Sequence, residues 1–218
     1  MLPERESGRG KFGYFEVALA PAHGLGGLFT DGSQYRRDLA HAEQLGAEVI
    51  EYVTERYRRM NERMRQTPDK PYGFSHGNCF PNLNMVGFSS ALSGHDFLLC
   101  HPKGPSASEI WQWAFIERWA PEVVKDMAAT SAARGQAPAG LFGQDDCENF
   151  ERIAENTRTP MAGKLTFHYG MSAGYDGEWP GHEEWHTEGL PGLVGPQNWE
   201  TSQRRYYAYW DRLMGLEG

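Results

Sequence analysis

Phe97-Leu-Leu-Cys-His-Pro-Lys-Gly-Pro-Ser-Ala-Ser-Glu-Ile-Trp-Gln-Trp-Ala-Phe-Ile116 decides the fold class. Two runs rich in aromatic and branched side chains, Phe97 to His101 and Glu109 to Ile116, flank Pro102-Lys-Gly-Pro105. A Pro/Gly turn between two such runs predicts a hairpin, and a hairpin fixes antiparallel pairing. On the second run Trp111, Trp113 and Phe115 share one face, and Ile110, Ala114 and Ile116 the other. Apolar side chains on both faces predict a strand covered on both sides.

Outward from the hairpin, short strand patterns and helical patterns are segregated. Cys79 to Ser89 reads as a strand in which Pro81 marks an edge or a bulge. Phe12 to Ala20 reads as another, closed by Pro21 and a turn region at Gly24–Gly27. Leu39, Ala42, Leu45, Val49, Val53, Tyr57, Met60 and Met64 recur every three or four residues. That period predicts one long helix over 35–65, in which Gly46 is a weak point and not a stop, ended before Pro68 and Pro71. Pro121 opens a further helix to about Arg134. Residues 160–170 read as a strand, residues 171–197 as a long irregular loop, and the chain closes with a helix from about Trp199. That last helix is expected to bury Tyr206, Tyr207, Trp210, Leu213 and Met214. Strands and helices do not alternate as βαβ units, so the class is α+β with an antiparallel sheet.

Composition narrows the function classes. The 218 residues carry a net charge of −8 and no basic run, which argues against a nucleic-acid partner. No apolar run approaches the ~20 residues of a membrane span, and MLPERESGRGKFG has no secretory apolar core. Cys79, Cys100 and Cys147 are odd in number and widely spaced, which fits reduced thiols in a cytoplasmic setting. Seven Trp, ten Tyr and eleven Phe favour an aromatic-lined interior. Residues 1–10 read as a loose end ahead of one domain over 11–218.

Pro138-Ala-Gly-Leu-Phe-Gly-Gln-Asp-Asp-Cys-Glu-Asn-Phe150 sets two carboxylates, Asp145 and Asp146, where a turn becomes a helix. A carboxylate there either caps the helix or ligates a metal. Asp145 and Glu148 have capping-box spacing. The helix is expected to run to about Thr157 with Phe150, Ile153 and Ala154 inward and Glu148 and Arg152 paired. His182-Glu-Glu-Trp-His186 matches the zinc-peptidase pattern, with His182, Glu183 and His186 in the functional places. Pro180-Gly181 before it and Gly189-Leu-Pro191 after it argue against the helix that the chemistry needs. His76 stands alone at a strand entrance, and a lone histidine is more often structural than ligating.

Several motifs in one order resemble a known family. His76-Gly-Asn-Cys-Phe-Pro-Asn-Leu83, His101-Pro-Lys-Gly-Pro105 with Glu109-Ile-Trp111, Pro138-Ala-Gly140 and Gln144-Asp-Asp-Cys-Glu-Asn149 are similar to stretches of the large (alpha) subunit of Rieske-type non-haem iron aromatic ring-hydroxylating dioxygenases. Pro191-Gly-Leu-Val-Gly195 and Glu200 to Met214 resemble that family's C-terminal loop and closing helix. The resemblance implies a helix-grip (START-like) fold, an antiparallel sheet around a long helix with a cavity between. It implies Asp146 as the carboxylate of a two-histidine-one-carboxylate Fe(II) site, with Asp145 and Glu148 left to cap and orient. It implies His76, Asn78, Phe142 and Phe150 as the cavity lining, an aromatic substrate, and O2 as co-substrate. The family's histidine pair lies upstream of everything matched, and its [2Fe-2S] Rieske domain lies further upstream. The chain therefore resembles the later part of a catalytic domain. A missing N-terminal half or Rieske-bearing chain, within an alpha/beta hetero-oligomer, is the expected partner. Alone, the chain is expected to be inactive, and a non-catalytic aromatic-binding or assembly module is the alternative.

Overall fold

The computed structural model describes residues 14–29, 32–64, 72–87, 90–165, 192–196 and 199–215. Seven strands form one open sheet: β1 (Tyr14–Leu19), β2 (His23–Phe29), β3 (Tyr72–Cys79), β4 (Leu83–Gly87), β5 (His95–Pro102), β6 (Ser108–Phe115) and β7 (Leu193–Pro196). Their order is β6-β5-β4-β3-β2-β1-β7, and every neighbouring pair is antiparallel. The helices are α1 (Ser33–Leu45), α2 (Ala47–Met64), α3 (Glu122–Gly135), α4 (Leu141–Asn156) and α5 (Thr201–Met214). The α+β class, the antiparallel sheet, the 97–116 hairpin and the helix after Pro121 stand as the sequence predicts.

Two glycine readings do not. Gly46 divides the expected single helix into α1 and α2. Its φ of +110° lies where L side chains are strained. Its N–H closes α1 on the Ala42 carbonyl, while its own carbonyl accepts Val49 and Ile50 N–H to open α2. The apolar period survives the break, and Ala42, Val49, Tyr52, Val53 and Tyr57 all enter one core with Ala91, Leu92, Ala120 and Val124. Gly24–Gly27, expected as a turn, is the body of β2. The Asn78 and His76 side chains of β3 lie against Gly24 and Gly26, so the lack of a Cβ at these two is what the strand requires.

Other expectations shift for local reasons. The single strand expected over Cys79 to Ser89 is instead the end of β3, a turn at Phe80-Pro81-Asn82 and β4, with Phe88 and Ser89 outside the described residues. Residues 160–165 form turns and a short 3-10 segment, Ala162–Lys164, where a strand was expected. Leu193–Pro196, expected as loop, pairs with β1. Residues 1–10 and 166–191, His182, Glu183 and His186 included, lie outside the described residues. β6 is an edge strand among the described residues, and Trp111, Trp113 and Phe115 are exposed on it, so its faces are not both covered. On α5 the buried residues are Thr201 and Ser202, whereas Tyr207, Trp210, Leu213 and Met214 are exposed. No helix among the described residues is long and apolar enough to cross a membrane.

Candidate functional site: a cleft floored by β3 and β4

Cross-strand partners in an antiparallel sheet project to the same side. The registers therefore align Glu16, Gly26, His76, Val86, Asp96 and Ala114 in one row. They align Ala18, Gly24, Asn78, Asn84, Leu98 and Gln112 in the next row on that same side. β3 carries a bulge, since Gly26 faces His76 and Gly27 faces Phe74, leaving Ser75 extra. The bulge turns Phe74 to the opposite side, where its ring meets Phe15 edge-on at 5.9 Å.

Two of the three glycines of β2 make room for His76 and Asn78 of β3. A Cβ built on Gly26 would stand 1.9 Å from His76 Nε2, and one on Gly24 would stand 2.5 Å from Asn78 Oδ1. His76 and Asn78 thus lie down against the β2 backbone. Ser75 Oγ is 2.9 Å from His76 Nδ1. Burial pushes the His76 imidazole below its ordinary value of 6.5, so it is neutral at pH 7.

Helices wall this floor on both sides. Over β1, β2 and β7 lies α5, pinned by the buried Glu16 carboxylate, which accepts Thr201 N–H and Ser202 Oγ–H. Burial raises the Glu16 pKa above 4.5, and those hydrogen bonds offset part of the rise. Further along α5, Tyr206 and Tyr209 each place their rings 5.0 Å from Phe80. Tyr206 also donates to the Pro81 carbonyl at 2.6 Å. On the other side α3 closes on β5 and β6, where Ala128 and Ser131 share a small cavity with Gly94, Asp96 and Ala114. Asp96 is buried and accepts Gln112 Nε2–H at 3.2 Å.

The helix carrying Asp146 is built differently. Its turn works backbone against backbone: a Cβ on Gly140 would be 2.5 Å from the Gly135 carbonyl, and one on Gly143 would be 2.3 Å from that of Ala137. The helix starts at Leu141 with Gly140 at its N-cap and no side-chain cap. Asp145 and Glu148 therefore do not cap it, contrary to expectation; both sit beyond its first turn. Asp145, Asp146 and Glu148 are all exposed, and so are Phe150 and Ile153, which were expected to face inward. Glu148 and Arg152 pair at 3.4 Å as expected. Phe142 lines an open groove of about 600 Å³ between α3 and α4, with Val123, Met127 and Leu141. Among the described residues no hydrogen bond or ring contact links Phe142, Asp146 or Phe150 to His76 or Asn78. Nor do the described residues gather three His, Cys, Asp or Glu side chains into one group.

Sequence reading found His76 and Asn78 but missed Asn84, Gln112, Gly24 and Gly26. The available signal was register: once β3 pairs with both neighbours, period-two alternation places all of them on one side.

No family profile matches the chain. Over 172 residues it is 28% identical to the large oxygenase component of the naphthalene 1,2-dioxygenase system of Pseudomonas aeruginosa, covering 77% of this chain and 35% of that protein. Over 174 residues it is 26% identical to the biphenyl 2,3-dioxygenase subunit alpha of Rhodococcus jostii, covering 78% of this chain and 35% of that one. The chain is a relative of aromatic-ring dioxygenase large subunits. It spans about a third of the length of these curated relatives. Its fold is that of a crystal structure of naphthalene 1,2-dioxygenase from Rhodococcus sp. bound to indole, with a TM-score of 0.67 at 24% identity over 96% of this chain and 46% of that chain.

Proposed function

We propose that this chain is the substrate-facing part of the catalytic domain of a terminal oxygenase component that dihydroxylates an aromatic ring with non-haem Fe(II) and O2. The observation that carries the reading is the strand floor, where Gly24 and Gly26 let Asn78 and His76 lie flat between α5, whose Ser202 stands over Gly24, and α3, which packs over Asp96 and Ala114. A flat ring slides over such a floor, and Phe80, Tyr206 and Tyr209 supply an aromatic flank. His76, held neutral, offers a hydrogen bond without a charge to desolvate. Asp146 is the proposed carboxylate ligand, and Phe142 and Phe150 the proposed far wall of the cavity.

The described residues alone do not fit an iron ion. One exposed carboxylate supplies one ligand, and selective binding needs further nitrogen donors at fixed positions. No step is therefore routed through iron here. The histidine pair, the [2Fe-2S] cluster and the alpha/beta assembly are assigned to a partner chain or segment. The exposed aromatics on β6 and α4 supply apolar surface on which such a partner can pack.

Anaerobic Fe(II) titration with metal counted per chain tests this reading. The purified chain should take up no more iron than its Asp146→Ala variant. Co-purified with a chain bearing a histidine pair and a Rieske motif, it should reach near-stoichiometric iron and, once given O2, an aromatic substrate and a reductant supplying two electrons, form a cis-diol, and Asp146→Ala should lose both. Iron and product retained in the reconstituted Asp146→Ala variant would remove Asp146 from the site. The non-catalytic aromatic-binding reading, favoured by the solvent-facing Asp146, predicts aromatic binding with no iron uptake even after reconstitution.

A further inference from the structure

The cleft floor is more polar than an unsubstituted hydrocarbon needs. Asn78 and Asn84 face each other across the β3–β4 pair, and Gln112 lies in the same row two strands on. The Asn78 side chain makes no hydrogen bond among the described residues. Asn84 spends its N–H only on a long contact to Cys100 Sγ at 3.8 Å, which leaves its carbonyl oxygen available. Both residues are half-buried, so neither is fully solvated by bulk water. Their unpaired carboxamide atoms still reach water, since Glu200 Oε2 is the only buried side-chain atom without a partner among the described residues, and a ligand hydroxyl can take the place of that water. The charge on this floor is equally informative. No strand contributes a lysine or arginine to either row, His76 is neutral, and Asp96 is buried on Gln112.

We infer that the preferred ligand is an aromatic ring bearing a neutral hydrogen-bonding substituent, a hydroxyl or equivalent, read by the facing carboxamides of Asn78 and Asn84. This rests on the aromatic-cleft reading above and adds a polarity to it. Carboxamides supply both a donor and an acceptor, so a hydroxyl meets one of each, while a carboxylate would find no strand-borne cation. Asn84 is then a specificity-determining residue for this cleft. A site built to bond a hydroxyl discriminates strongly against the analogue lacking it, because its own polar groups are left unpaired.

Three probes of one size decide it: naphthalene, 2-naphthol and 2-naphthoate, titrated against the full chain by tryptophan fluorescence and calorimetry. The expected result is about tenfold tighter binding of 2-naphthol than of naphthalene. In Asn78→Leu and Asn84→Leu that ratio should fall towards one. The ratio is taken on one preparation of each variant, so partial unfolding cancels, and the conservative Asn84→Gln should restore part of it. Naphthalene binding as tightly as 2-naphthol would overturn the inference and leave the aromatic cleft standing. Tightest binding of 2-naphthoate would overturn the neutral substituent. Failure of all three to bind would overturn the cleft reading itself and this inference with it.

Discussion

The corner where α1 and α2 meet the β5 and β6 ends is finished structure, whereas α4, which carries the proposed iron ligand, is unfinished surface. At the corner, Asp38 is buried and accepts four hydrogen bonds, from Gln34, Ser90, Tyr57 and the Ala91 N–H, between 2.6 and 2.9 Å. Beside it Arg56 bonds Glu117 at 2.5 Å and His95 at 2.9 Å, and Tyr52 donates to Glu117 at 2.9 Å. Three of the four Asp38 partners come from outside α1, and Glu117 is held by two residues of α2. On α4 the carboxylates, Phe150 and Ile153 face solvent, and the ion pairs of Arg152 stay within the helix. A carboxylate with four partners is committed to stability. A carboxylate with none is free for chemistry. The same residue type has been placed in two regimes by its surroundings.

The largest expected effect falls on the finished side. Asp38→Ala removes the acceptor of the buried Ala91 N–H and takes one hydrogen bond from each of Tyr57, Ser90 and Gln34. At about 1–3 kcal/mol for each buried group left unsatisfied, the loss should total about 3–5 kcal/mol in urea unfolding. A loss under about 1 kcal/mol would mean that water already reaches this corner, and the comparison would fail at its first term.

Next in size is a pH dependence confined to the same corner. His95 Nε2 faces the permanently charged Arg56, so it must be the acceptor and the ring must be neutral. Burial first, and Arg56 second, hold its pKa below the ordinary 6.5. The unfolded chain thus binds the proton more tightly, and stability is full above pH 6.5 and falls as pH drops below it. Burial acts the other way on Glu117, but the charge and hydrogen bonds of Arg56 prevail and keep it below 4.5, so its contribution is lost at still lower pH. His76 shifts in the same sense as His95, while Glu16, raised by burial, opposes them towards pH 4.5. Comparison with His95→Gln isolates the one site. The variant should lose a slope of at most about 1.4 kcal/mol per pH unit just below pH 6.5. Parallel curves for wild type and variant would show that His95 does not titrate with folding.

How much of this was legible depended on which physics the pattern encodes. Period-two runs with a turn between them identified the β5–β6 hairpin, because both signals are local. Glycine was misread twice, since one residue type serves opposite ends. Gly46 breaks a helix by its positive φ, and Gly24 and Gly26 complete a strand by yielding space to His76 and Asn78. Neither role is visible without the neighbour. The amphipathic patterns of α4 and α5 correctly marked helices, but their apolar stripes point to solvent in this chain, because a pattern records the surface to be covered and not what covers it. The capping role expected of Asp145 and Glu148 is absent, since the helix begins four residues before Asp145, at Leu141.

Between the two regions lies the cleft floor, and Gly26→Ala probes it. The new methyl would overlap the His76 ring, whose far end can swing away, so the stability cost should be about 1 kcal/mol. The larger consequence is positional. The His76 ring resonances should shift in NMR spectra, and aromatic binding should weaken, with the Asp38 corner untouched. Unchanged His76 resonances would show that the glycine is not what lets the ring lie flat.

The smallest expected effect is the most diagnostic. Asp146 makes no hydrogen bond or ion pair among the described residues and lies on the exposed face of α4. Aspartate is a poorer helix former than alanine by a few tenths of a kcal/mol, so Asp146→Ala should leave stability within about 0.5 kcal/mol, on the stabilising side if anywhere. A loss above about 1 kcal/mol would reveal a structural partner and return the residue to the same regime as Asp38. A neutral result has content of its own when joined to the iron titration. A carboxylate that contributes nothing to the fold, yet decides whether the reconstituted protein holds iron, is kept for the metal alone.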